Sequence, residues 1–251
     1  MNITTIQTNI IWENKELNLK NYQDKIDSIE STDLIILPEM FTTGFTMNPK
    51  PFTESMDGIT VQWMKENALK RDLAICGSII IEEEGKYFNR FIWVSPDASI
   101  QYYDKRHLFL GEDENYTKGE SKIVIDYKGW KICPLICYDL RFPVWSRNVE
   151  DYDVLIYVAN WPSKRKSAWR SLLVARAIEN QCYVIGVNRV GEDGNNLSYS
   201  GDTSLVNALG ETLYINSQSE DIFNTTLSKL ELSKVRTQLP FLKDKDNFNF
   251  L

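Results

Sequence analysis

Short runs rich in Val, Ile and Leu alternate along this chain with longer segments of helical periodicity. Ile3 to Ile11 reads as a strand. Lys15 to Ile29 reads as a helix, with Leu17, Leu19, Tyr22, Ile26 and Ile29 as its apolar positions. The run from Asp33 through Leu34-Ile35-Ile36-Leu37 to Pro38 is continuously apolar after its first residue, as in a strand buried on both faces. A loop rich in Thr, Gly, Asn and Pro follows to about Asp57, and Ile59 to Arg71 forms the next helix. Leu73 to Ile81 and Phe88 to Val94 are strand-like and flank a hairpin turn at Glu83-Glu84-Gly85-Lys86. Further strands are predicted at Ser99 to Tyr103, Ile123 to Tyr127 and Trp130 to Ile136.

The alternation then repeats. Val144 to Glu150 reads as a short helix, Asp153 to Ala159 as a buried strand, Ala168 to Gln181 as a helix and Cys182 to Asn188 as a strand. Thr203 to Asn207, Thr212 to Ile215 and Ile222 to Asn224 complete the strands, and Leu227 to Val235 is a last helix. With no Gly/Pro/Ser-rich linker and no internal repeat, residues 1–251 read as a single mixed α/β domain. Its antiparallel hairpins favour a layered sandwich over a doubly wound parallel sheet.

Composition narrows the function classes. The chain has 251 residues, 43% of them hydrophobic, enough for one sizeable core. Its formal net charge of −7 and scattered Lys and Arg oppose nucleic-acid binding, which needs a concentrated basic face. No segment approaches the apolar length of a membrane span, and the N-terminus lacks a signal-peptide pattern. Cys76, Cys133, Cys137 and Cys182 stand apart in apolar runs, which suits reduced thiols in a cytoplasm. One histidine and no ligand cluster leave no expected metal site.

Three reactive residue types stand just beyond apolar runs, where α/β architectures gather their sites: Glu39, Lys105 and Cys137. Singly, a strand-end Glu or Lys is most often a solvated terminus, and a Cys in an apolar run an inert core residue. Cys76, Cys133 and Cys182 take that second reading. Together the three make a chemical set. A carboxylate in a closed pocket can act as general base towards a thiol. A neighbouring ammonium, with the start of a helix, would lower the thiol pKa and stabilise an oxyanion. Such a set suits attack on an amide or nitrile carbon through a thioester and makes chemical sense without histidine.

Four motifs surround these residues: Leu37-Pro38-Glu39-Met40-Phe41, Tyr103-Asp104-Lys105-Arg106-His107-Leu108-Phe109, Ile136-Cys137-Tyr138-Asp139-Leu140-Arg141-Phe142-Pro143 and Ala175-Arg176-Ala177-Ile178-Glu179-Asn180-Gln181. They resemble the nitrilase (carbon–nitrogen hydrolase) superfamily, and within it the bacterial ω-amidases, which implies a structural part for the single His107. The resemblance runs from the first strand to about Ile215. It implies a four-layer α-β-β-α sandwich, paired into a homodimer. It also implies Glu39 as general base, Lys105 as oxyanion and orientation residue, Cys137 as nucleophile and the Tyr138 N–H as second oxyanion donor. The family's additional active-site glutamate falls on Glu112, seven residues before Gly119, with Glu114 as the alternative.

The implied activity is hydrolysis of the distal amide of small dicarboxylate monoamides, above all 2-oxoglutaramate and succinamate, without metal or organic cofactor. The alternatives are a nitrilase, an N-carbamoyl amine amidohydrolase, or a silent binding protein of the same fold. A substrate carboxylate needs a cation or several donors to offset its desolvation. Lys164 and Arg165 are the candidates in the loop after Trp161, and Arg141 either joins them or braces the turn after the nucleophile. Phe41 and Phe45 are expected to wall an apolar pocket that Asn160 and Trp161 also line. Arg176 and Glu179, three apart on a predicted helix, read as an ion pair, and Trp145 and Trp169 as packing.

Overall fold

Continuous apolar runs demand cover on both faces, and the architecture supplies it with two sheets packed between helices. The computed structural model describes residues 1–246 and 248. In chain order the elements are β1 (Asn2–Gln7), α1 (Lys15–Asp27), β2 (Leu34–Ile36), α2 (Ile59–Arg71), β3 (Ala74–Glu83), β4 (Lys86–Val94) and β5 (Ile100–Asp104). There follow β6 (Ile125–Tyr127), β7 (Trp130–Ile136), α3 (Pro143–Ser146), β8 (Val154–Val158), α4 (Lys166–Asn180) and β9 (Tyr183–Val187). The last are β10 (Val190–Glu192), β11 (Ser198–Val206), β12 (Thr212–Ser217), β13 (Asp221–Thr226) and α5 (Lys229–Gln238).

One sheet has the order β13-β1-β2-β3-β4-β5; the other runs β10-β11-β9-β8-β7-β6, with β12 on β11. Each is built on three parallel strands, β1, β2 and β3 in one and β7, β8 and β9 in the other, extended by antiparallel neighbours. Alternate residues of β2 separate the layers. Ile35 packs outward with Tyr22, Ile26, Val61 and Met64 of α1 and α2. Leu34 and Ile36 face inward with Trp93, Leu135 and Ile136, between the sheets. Trp169, Leu173 and Ala177 of α4 and Leu232 of α5 cover the second sheet from its other side. The α-β-β-α sandwich expected from the sequence is the observed fold.

Local boundaries differ where the polar pattern misleads. The first strand stops at Gln7, and Ile11 is already exposed. The helix expected at 144–150 closes at Ser146, because Asn148 turns back to bond Tyr152 N–H and the carbonyls of Tyr152 and Asn180. Strand β11 begins at Ser198, five residues before its predicted start. Its first half is polar yet buried: Ser200, Asp202, Thr203 and Ser204 bond to one another and to Gln7 of β1, so no apolar pattern marks it.

Candidate active site

Both sheets deliver functional side chains to one end of the sandwich. Just past β2, Glu39 is fully buried. Its Oε1 accepts from Asn89 Nδ2 at 2.8 Å and Lys105 Nζ at 3.0 Å, and its Oε2 from the Asn160 N–H at 2.7 Å. Asn160 Nδ2 also donates to the Glu39 carbonyl at 2.6 Å, fixing the backbone beneath the carboxylate. Lys105 follows β5 and reaches a second carboxylate, Glu112 Oε2, at 2.8 Å, with the Phe45 ring centre 5.0 Å from its ammonium. Glu112 is completely buried and accepts the Phe109 N–H at 2.7 Å, whereas Glu114 is exposed. The structure therefore brings Glu112, and not Glu114, to this cluster.

Two carboxylates share one ammonium here. Burial works against the Lys105 charge, but Glu112 and Glu39 outweigh it and hold the lysine pKa above its usual value. Burial and the negative charge of Glu39 raise Glu112 above the ordinary carboxylate range, despite Lys105. The ammonium stays charged, and Glu112 is held closer to protonation than an exposed carboxylate.

Cys137 follows β7 with φ +43°, in the left-handed region, and opens the 3₁₀ turn Cys137–Arg141. Asp139, buried in that turn, holds the bend. It accepts the Ile136 N–H at 3.0 Å, Tyr103 Oη at 2.8 Å and the His107 N–H at 3.0 Å, and lies 2.8 Å from His107 Nδ1. The His107 ring stacks on Phe142 with centres 3.7 Å apart, so the lone histidine braces the elbow as expected. Arg176 does likewise, donating to the Leu140 carbonyl at 2.6 Å while pairing with Glu179 at 3.0 Å. The leading N–H groups of such a turn have no partner inside it, and Tyr138 supplies one of them.

The thiol itself departs from expectation. Lys105 and the turn were expected to favour thiolate. Instead, burial pushes Cys137 well above its usual value, and the charge of Glu39 adds to this, against the lowering pull of Lys105. The resting group is a thiol facing a carboxylate.

Cys137 and Lys105 open into a pocket walled by Phe45, Phe109, Tyr138, Arg141, Asn160, Trp161, Pro162, Arg165, Leu197 and Tyr199. Phe41 is not among these residues. It lies under α1 and α2, edge-on to Tyr22 at 5.3 Å, because the residue after the positive-φ Met40 turns into the outer core. Lys164 is exposed and likewise absent from the walls. Arg141 and Arg165 are present. Their guanidinium groups lie 4.9 Å from the Trp161 ring and 5.0 Å from the Phe109 ring, and neither has a carboxylate partner among the described residues.

The sequence reading passed over Asn89, Asp139, Phe109, Leu197 and Tyr199. Asp139 lies two residues after Cys137, and its place in that motif was the one available signal. Asn89 is marked only by being polar within a strand. Among the described residues, no group of three or more His, Cys, Asp or Glu side chains is placed to hold a metal ion.

Comparison with known proteins points to one family. The carbon-nitrogen hydrolase family matches residues 2–237. Omega-amidase YafV of Escherichia coli is 41% identical over 99% of this chain and 98% of its own length. The 2-oxoglutaramate amidase of Bacillus subtilis is 31% identical over 96% of each. Among solved structures, a CN-hydrolase superfamily protein from Xanthomonas campestris, carrying an arsenic adduct in its active site, superposes with a TM-score of 0.98. It is 41% identical and covers 100% of this chain and 99% of its own.

Proposed function

The chain belongs to the carbon–nitrogen hydrolase family, and within it we propose that the protein is an omega-amidase, removing the distal amide of small dicarboxylate monoamides such as 2-oxoglutaramate and succinamate. The observation that carries this reading is one pocket whose walls hold two kinds of chemistry. Cys137 and Lys105 line it, with Glu39 bonded to Lys105, and two carboxylate-free arginines, Arg141 and Arg165, also stand in its wall. The first group suits an amide carbonyl; the arginines suit the carboxylate of the same molecule.

In the proposed mechanism the Cys137 sulfur attacks the amide carbon while its proton passes to Glu39. Lys105 Nζ and the Tyr138 N–H hold the resulting oxyanion. Glu39 returns the proton to nitrogen, the C–N bond breaks and ammonia leaves a thioester. Glu39 then takes a proton from water as its oxygen attacks that thioester, releasing the dicarboxylate and restoring the thiol. Glu112 anchors Lys105 throughout. The raised thiol pKa supports this order, since a thiol that does not ionise alone needs a base in the attack. The resemblance further supports a homodimer, and the unpaired cysteines support a cytoplasmic location for this single domain.

The test is ammonia release from 2-oxoglutaramate, succinamate, glutamine, a simple nitrile and an N-carbamoyl amine. Turnover of the two monoamides, abolished by Cys137→Ala, is expected. Glutamine should be poor, because no pocket carboxylate near the arginines is placed to receive its ammonium. Turnover of the nitrile or the N-carbamoyl amine alone would replace this reading with one of those activities. Binding without any turnover would replace it with a silent member of the fold.

A further inference from the structure

Arg189 follows β9, and its side chain is completely buried with no carboxylate bonded to it among the described residues. Burial pulls its pKa below the usual arginine value, the mark of a charge in a costly place. The guanidinium is spent on backbone and amide oxygens instead. Nη2 donates to Asn9 Oδ1 and the Ile10 carbonyl, both at 3.0 Å, and to the Glu192 carbonyl at 3.1 Å; Nε donates to the Val190 carbonyl at 3.1 Å. Its carbon lies 4.7 Å from the ring centre of Tyr199. On another side is Gly44, at φ +75°, where an added Cβ would come within 3.3 Å of Arg189 Nη1.

These contacts link segments that wall the pocket. Gly44 precedes Phe45, and Tyr199 and Leu197 belong to the hairpin between β10 and β11. Asp193 ties that hairpin internally, accepting Tyr199 Oη at 2.8 Å and the Leu197 N–H at 3.0 Å. Arg189 ties it externally, to the loop after β1. It makes no hydrogen bond to Glu39, Lys105 or Cys137.

We infer that Arg189 is a positioning residue for the substrate pocket, setting the separation between the Phe45 wall and the Tyr199–Leu197 wall, and so tuning how tightly the acyl chain is gripped. A planar fork with several fixed donors does this; a lysine cannot bond all the same oxygens at once. Because the reacting groups are not among its partners, its loss should weaken ground-state and transition-state binding alike, and so raise KM rather than lower kcat.

The inference rests on the pocket being the amide site, and its test separates the two. R189K, compared with the parent on succinamate, should raise KM about tenfold with kcat within about threefold, at unchanged circular dichroism. Asn9→Ala, which removes one acceptor from an exposed position, should shift KM the same way by less and serves if R189K does not fold. Unchanged KM in the folded variants, or a fall in kcat at constant KM, overturns the assignment. If the parent turns over no monoamide, the omega-amidase reading fails alone. Saturable alkylation of Cys137 by iodoacetamide then tests Arg189: a higher half-saturating concentration in the variants supports it, and an unchanged one overturns it.

Discussion

At the scale of single residues, the most consequential feature is that the proposed nucleophile has a raised thiol pKa. Burial and the charge of Glu39 push Cys137 above its usual value, so the proposed mechanism has Glu39 act during the attack rather than beforehand. Glu39→Gln should therefore lower kcat about 10²–10⁴-fold, the range for losing a general base, as read by ammonia release. The 240 nm absorbance difference between the parent and Cys137→Ala should stay flat between roughly pH 6 and pH 8, showing no thiolate. That Glu39, Lys105 and Cys137 meet at one place was legible because each stands in a motif at the end of an apolar run. The thiol's protonation state was not, since it depends on the balance of burial against two carboxylates and one ammonium. Phe41 shows the same limit: it lies two residues from Glu39, yet a backbone turn at Met40 sends it into the outer core.

At the scale of elements, the turn from Cys137 to Arg141 is held by Asp139 from within and by Arg176 from outside. A non-glycine residue at φ +43° persists only where its surroundings enforce it. Here Asp139 does so by receiving donors from three segments: Ile136, Tyr103 and His107. Asp139→Asn removes one acceptor oxygen and turns a donor towards these groups. We expect a loss of about 2–4 kcal/mol in urea denaturation, accompanied by a lower kcat because the elbow carries the sulfur. Elements with continuous apolar runs, such as β2 and β8, were legible from the sequence. The opening of β11 was not: its buried polar residues satisfy one another, leaving no apolar signature.

The whole molecule stores many unionised groups. Burial raises Cys76, Cys133, Cys137 and Cys182 above the ordinary thiol value of 9.0, Cys133 to about 12, and raises Tyr22, Tyr103 and Tyr157 above 10.0. At alkaline pH the unfolded chain releases these protons while the native protein keeps them. Their contribution is thus complete below the unfolded values and is lost as pH rises towards the folded ones. The urea midpoint should fall between roughly pH 8 and pH 10.5, and a midpoint constant or rising over that interval would contradict this account.

Glu39 and Lys105 ride on one sheet and Cys137 on the other, with Asn160 reaching across to clasp Glu39. In the proposed mechanism the gap that a proton crosses is thus a measure of alignment between two separately hydrogen-bonded slabs. Turnover would then be a vernier for their relative slip: a slide of one slab too small to unfold anything would part Glu39 from the sulfur, silencing the enzyme while its spectroscopic outline stayed intact.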